Sequence, residues 1–240
     1  MRRFRLFAQL DVLKGKCLSL IDLSREVLID SKDNGKLHEK GAKILADCIK
    51  VKEYCSGVDL QTLNESEQKQ LQRILLSARD LHQIAMNCIA IGTMKEDSLG
   101  DHALSESMKE DINTLSTLCK EALFRLQIGQ EKSMQTSPEA KEAILRVQQE
   151  VVSIQSNIEE RRRAHFQRAQ KNKEHAETSW LFFDAAECYE QIALRTLRLA
   201  DEDAWQNTLH RQPELGASAD SAGLVSSASP ASCALVRIER

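Results

Sequence analysis

The sequence predicts an all-α protein built from two similar sets of three helices. Only nine glycines and three prolines occur in 240 residues, and 4% of the residues are aromatic. Chains with few helix breakers and much Leu, Ala, Gln, Glu and Arg form helices most readily. The segment RDLHQIAMNCIAIG, which begins at Arg79, is also partly repeated by ECYEQIALRTLRLA, which begins at Glu187. Both segments place Gln-Ile-Ala at the same point of an apolar helical pattern, which indicates an internal repeat.

The first half contains three stretches with the 3.6-residue apolar period of an α-helix, at about 7–29, 36–54 and 64–95. Asn34-Gly35 is a strong turn signal between the first two helices. Asn64 is a suitable N-cap for the third helix, and Glu65 and Glu67 follow it where the helix dipole favours acids.

The second half follows the same plan, with predicted helices at about 103–128, 138–170 and 176–205. Gly129 is predicted to end the fourth helix, and Ser137-Pro138 supplies an N-cap followed by a proline that starts a helix well. The predicted units are therefore 1–100 and 101–206, each a three-helix bundle, and the two either pack together or form one elongated bundle. Residues 207–240 are rich in Ala, Ser and Gly and predict a disordered tail.

Net charge, cysteine spacing and hydropathy narrow the kinds of partner and the cellular compartment that the sequence predicts. A net charge of -3 gives no electrostatic reason to expect a nucleic-acid partner. The seven cysteines are scattered singly without a C-x-x-C pair, which is typical of a reducing compartment. No run approaches the roughly 20 apolar residues of a membrane span. The sequence thus predicts a soluble cytoplasmic protein.

Motifs that carry chemistry are absent from the sequence. It contains no P-loop, dinucleotide-binding glycine pattern, nucleophile elbow or zinc signature. We therefore predict that the protein is not an enzyme and uses no cofactor.

Acidic and histidine side chains on the repeated helices are candidate metal ligands. His82 lies on an apolar stripe, where it is either a ligand or a partly buried histidine bonded to a neighbouring helix. Asp184, Glu187 and Glu190 recur every three residues, so they form either a residual cation site or a solvated face with basic partners. Asp80 on the other repeated helix is the natural additional ligand.

The strongest basic patch is Arg161-Arg162-Arg163 with Arg168 and Lys171, and Glu159 and Glu160 precede it. Such a patch can bind an acidic protein surface or lipid headgroups. The alternative is a solvated helix face.

The repeated segments resemble a known family. Residues 78–85, ARDLHQIA, and 189–193, YEQIA, are similar to the third helix of each half of the PhoU-like phosphate-uptake regulators, and residues 160–166, ERRRAHF, resemble the basic end of their penultimate helix. The resemblance covers roughly residues 8–203. It is greatest to the version found as the cytoplasmic domain of sodium/phosphate cotransporters.

The metal motifs of that family are degenerate in this sequence. His82 and Met86 occupy the two acidic positions in the first half, while Glu190 and Leu194 occupy them in the second. Met and Leu cannot serve a hard cation. The resemblance therefore implies a metal-poor protein in which Asp80, His82, Glu187 and Glu190 are vestigial ligands.

The resemblance implies a cytoplasmic regulatory module that acts beside a membrane phosphate transporter or a sensor protein. The basic-aromatic start, Arg2 to Phe7, fits a segment near the inner face of the membrane. One rival interpretation is a generic helical scaffold with no link to phosphate. Another is a carboxylate-bridged metal protein, but the Glu-x-x-His pairs of that class are absent.

Overall fold

A computed structural model describes residues 2–98, 104–132, 138–171 and 178–200. These residues form six α-helices and no strand, which confirms the all-α prediction. The helices are α1 (Arg2–Asp30), α2 (Gly35–Ser56), α3 (Glu65–Ser98), α4 (Glu106–Lys132), α5 (Pro138–Lys171) and α6 (Ser179–Ala200). The predicted tail, 207–240, lies outside the described residues, as does the predicted end of the sixth helix.

Local chemistry explains the starts of two helices, α3 and α5. The Asn64 side chain accepts a hydrogen bond from the backbone N–H of Glu67, and the Glu67 side chain accepts one from the backbone N–H of Asn64. This reciprocal pair is a capping box. Proline at the first position of α5 fits its preference for a helix start.

Two predicted helix boundaries are wrong. Helix α1 already begins at Arg2 and not at about residue 7. Gly129 does not end α4, which continues to Lys132. A glycine inside a helix costs only about 1 kcal/mol relative to alanine. The stretch Gln130-Glu131-Lys132 that follows has no breaker, so the helix can pass through Gly129.

The six helices pack in two sets of three. Each of α1, α2 and α3 contacts the other two, and so does each of α4, α5 and α6. The sets join through extensive contact of α3 with α6 and further contact of α1 with α4. One continuous apolar core draws buried side chains from all six helices. This single core spans both predicted sets.

Buried positions recur from one set to the other. Residues 6, 10, 13, 17, 20 and 21 of α1 and residues 108, 112, 115, 119, 122 and 123 of α4 are all buried. The same holds for 37, 41, 44, 48 and 55 of α2 against 147, 151, 154, 158 and 165 of α5. It also holds for 74, 78, 81, 84, 85, 88 and 91 of α3 against 182, 186, 189, 192, 193, 196 and 199 of α6. That the two sets superpose stays a prediction, which this recurrence supports.

The repeated segments lie where α3 and α6 cross. Asp80, near the start of the α3 segment, pairs with Arg195 and Arg198, late in the α6 segment. Cys88 lies further along α3 and is near Cys188, at the start of the α6 segment, so the two helices run antiparallel. Ile84, Ala85, Ile192 and Ala193 fall between these ends, and all four are fully buried. Small and branched side chains allow two helices to approach closely.

Candidate functional site

Helices α3 and α6 bring three arginines onto one buried carboxylate. Asp80 is 2% exposed. Its Oδ1 lies 3.4 Å from Arg195 Nη1 and 3.5 Å from Arg79 Nη2, and its Oδ2 lies 3.5 Å from Arg198 Nε. We call Asp80, Arg79, Arg195 and Arg198 the Asp80 cluster.

The contacts of the Asp80 cluster are loose. Charge-assisted hydrogen bonds of arginine to carboxylate are normally about 2.7–2.9 Å long, and all three distances here exceed that. Burial raises the pKa of Asp80, while the charges of Arg79 and Arg195 oppose the rise. The arginine side chains reach solvent, with 46% of Arg79, 25% of Arg195 and 17% of Arg198 exposed. A buried carboxylate thus sits under a partly exposed layer of guanidinium groups.

A second buried aspartate holds α5 against α4. Asp111 is 6% exposed. Its Oδ1 accepts a hydrogen bond from Arg161 Nη1, and its Oδ2 accepts one from Arg168 Nη2 at 2.5 Å. We call Asp111, Arg161 and Arg168 the Asp111 cluster. Both carboxylate oxygens are occupied, so this cluster is a tight bridge between two helices.

The three consecutive arginines of α5 therefore do not form one patch. Arg161 belongs to the Asp111 cluster. Arg162 Nη1 lies 2.8 Å from Glu159 and 3.0 Å from Glu190, which links α5 to α6. Arg163 is exposed, and it has no acidic partner among the described residues. Only Arg163 presents its charge outward as the sequence analysis expected.

The four candidate metal ligands are not brought together. Asp80 faces arginines, and Glu190 is paired with Arg162. Glu187 is exposed, while His82 is half-buried on α3. Within the described parts of the chain, no three His, Cys, Asp or Glu side chains are grouped so that they could hold a metal ion.

His82 and the acidic run of α6 have individual environments. Burial lowers the pKa of His82, and the charge of Lys52 lowers it further. Its predicted hydrogen bond to a neighbouring helix is not found among the described residues. Partial burial raises the pKa of Asp184, and the negative charge of Glu187 adds to that rise. The three acids of α6 therefore differ, because Glu190 alone among them has a basic partner within the described part of the chain.

The centre of the molecule contains buried thiols. Cys17 Sγ of α1 lies 3.8 Å from the carbonyl oxygen of Leu81, and Cys119 Sγ of α4 lies 3.3 Å from that of Tyr189. Leu81 and Tyr189 occupy matching positions of the two repeated segments. Burial raises the pKa of Cys17, Cys88 and Cys119, so these thiols stay protonated and are poor nucleophiles.

Sequence reasoning missed several residues of these clusters. Asp111 gives a usable signal, since it is a charged residue beside Met108, Ile112 and Leu115 on the buried side of α4. A charge on an apolar stripe predicts a buried ion pair. Arg195 and Arg198 are spaced like ordinary surface residues, and nothing in the sequence marks their partner.

No family model, no curated protein and no solved structure matches this chain. Among the described helices, none combines the length and the apolar character that crossing a membrane requires.

Proposed function

We propose that this chain is a non-catalytic helical module that regulates phosphate transport by binding a transporter or sensor protein at the inner face of the membrane. The family resemblance of the repeated segments supplies the link to phosphate. The packing of α3 on α6, each carrying one repeated segment at a fully buried crossing, is the structural observation that supports it. The buried, protonated thiols also favour a binding role over a catalytic one.

The outer face of α5 is the best candidate for the binding surface. Leu145, Val152 and Phe166 are 55%, 56% and 55% exposed. They are separated by seven and fourteen residues, which is the spacing of a stripe along a helix that packs on another helix. Exposed Arg163 lies one turn before Phe166 and adds a charge that can steer association.

This face fits the rival interpretation as well. A helix with apolar residues at heptad spacing can bind a partner helix in any scaffold protein. What distinguishes the two functions is the identity of the partner.

Affinity capture from the native cells, with membranes intact, tests the proposal. We expect the parent chain to retain a phosphate transporter or phosphate sensor, and Val152→Glu to lose it. The matched control is Ile49→Glu, because Ile49 is 46% exposed on α2, the counterpart of α5 in the other set. Loss with both variants, or with neither, would count against the α5 surface. If none of the captured proteins takes part in phosphate transport, the result would favour the function as a generic helical scaffold.

Charge reversal on α5 tests membrane attachment separately. Arg163→Glu should leave the melting temperature unchanged, since an exposed charge contributes little to stability. It should weaken co-sedimentation with membranes that contain the transporter. Unchanged co-sedimentation would assign Arg163 to a solvated face.

A further inference from the structure

The Asp80 cluster carries more positive than negative charge. One carboxylate is shared by three guanidinium groups, and all three lie at 3.4–3.5 Å from it. Arg79 and Arg195 have no other acid at ion-pair distance in the described residues. Asp80 can neutralise only one of them, so at least one guanidinium charge at the seam between α3 and α6 lacks a counter-charge.

The uncompensated charge is accessible. Asp80 forms the buried floor, while Arg79 and Arg195 keep 46% and 25% of their side chains exposed. An ion arriving from solvent would meet their N–H groups before it met the carboxylate. Guanidinium is planar and presents several N–H donors, which suits it to two oxygens of a phosphate or sulfate.

The Asp111 cluster also pairs more than one arginine with a single aspartate, but its geometry differs. There, two arginines meet one aspartate, and each binds its own carboxylate oxygen at short distance. Arg161 Nη1 and Arg168 Nη2 are held by these bonds, while the Nε atoms of both arginines are buried without a hydrogen-bond partner among the described residues. The longer distances around Asp80 leave the donors of Arg79 and Arg195 free to turn toward a second acceptor.

We propose that the Asp80 cluster binds a tetrahedral oxyanion, phosphate or sulfate, as a free ion between Arg79 and Arg195. The site lies on α3 and α6, so it does not depend on the partner surface proposed on α5. An ion bound there would bridge the two sets of helices and supply the missing negative charge at their seam.

Calorimetric titration of the full chain with inorganic phosphate, in chloride buffer at constant ionic strength, tests the site. We expect saturable binding that weakens about tenfold or more in Arg79→Gln and Arg195→Gln, because each removes charge-assisted hydrogen bonds. Asp80→Asn should bind more tightly than the parent, since it removes the competing carboxylate. A role of the arginines in folding alone would not produce that gain.

The matched control is Arg146→Gln on α5, whose guanidinium is exposed and paired with Glu142. It should bind phosphate like the parent. Arg79→Gln changes the most exposed of the three arginines, so it keeps the test decisive if Arg195→Gln does not fold. Absence of saturable binding in both the parent and Asp80→Asn would overturn the proposal, as would equal weakening in Arg146→Gln.

The same phosphate chemistry occurs in lipid headgroups. Vesicles of phosphatidylglycerol, tested by co-sedimentation, distinguish the two sources. For a site that takes the free ion, we expect no vesicle binding that depends on Arg79. Arg79-dependent vesicle binding without phosphate binding would contradict the free-ion proposal.

Discussion

Two buried aspartates of this protein, Asp111 and Asp80, pair with arginines in different geometries. Asp111 meets two arginines of α5 at short distance, with one guanidinium for each oxygen. Asp80 meets three arginines, two of them on α6, and none is closer than 3.4 Å. Both carboxylates are nearly inaccessible to solvent, with 6% and 2% of the residue exposed.

The difference indicates that a buried carboxylate can either hold two helices together through close ion pairs or, through longer contacts, leave arginine donors available to a ligand. A close ion pair with good geometry compensates the loss of hydration of its two members. Longer contacts compensate less, which agrees with the raised pKa of Asp80. The Asp111 cluster is therefore a tight bridge between two helices, while the Asp80 cluster holds its arginines at longer distances.

The largest loss of folding stability should come from removing the ion pairs of the Asp111 cluster. Asp111→Asn leaves Arg161 and Arg168 partly buried without a counter-charge, and we expect it to lower the free energy of unfolding by about 3 kcal/mol. Urea denaturation measures the change. Glu110→Gln, at an exposed neighbouring position, is the control and should stay within about 0.5 kcal/mol of the parent. Equal stabilities of the two variants would mean that the tight contacts around Asp111 contribute nothing net.

A smaller effect should follow from disturbing the crossing that positions Asp80 against α6. Ala85 on the repeated segment of α3 is fully buried, so Ala85→Leu should overpack the core at that point and cost about 1–3 kcal/mol. Thermal or urea unfolding measures the loss. Met86→Leu, one residue along at a position 38% exposed, should change stability by less than about 0.5 kcal/mol. A tolerated leucine at position 85 would show that the helices are not closely packed there.

The smallest change in folding stability at neutral pH should come from Asp80→Asn. Burial raises the pKa of Asp80 in the folded chain above the ordinary value of 3.8, so the folded state keeps a proton that the unfolded state releases. The parent should therefore lose stability as pH rises from about 3.8 through the raised pKa. The variant lacks this loss and should be as stable as the parent, or more stable, at pH 7.

Urea denaturation of the parent and Asp80→Asn from pH 4 to pH 7 checks the sign. As pH rises, the free energy of unfolding of the variant should increase relative to that of the parent. A shift in favour of the parent would mean that the arginines outweigh burial, and the two clusters would then be alike.

The all-α class and the number of helices in the described residues follow from the sequence through simple physics. Few glycines and prolines interrupt the apolar period, so the six helices and the Asn64 cap of α3 could be predicted. The end of α4 could not, because Gly129 only weakens a helix and does not have to end it. The burial of Ile84, Ala85, Ile192 and Ala193 was also predictable, since the same apolar positions recur in both repeated segments.

The candidate site was predictable only in part. Asp80 was recognised, but as a vestigial metal ligand, because sequence spacing relates residues on one helix and not across two. Arg161 and Arg162 were expected on an outward patch, yet their partners Asp111 and Glu190 lie on other helices. By itself, then, the sequence determined which residues are helical and which side of each helix is apolar, since both depend on local periodicity. Only the tertiary structure decided which charges meet, because ion pairing depends on distances between helices that are far apart in the chain.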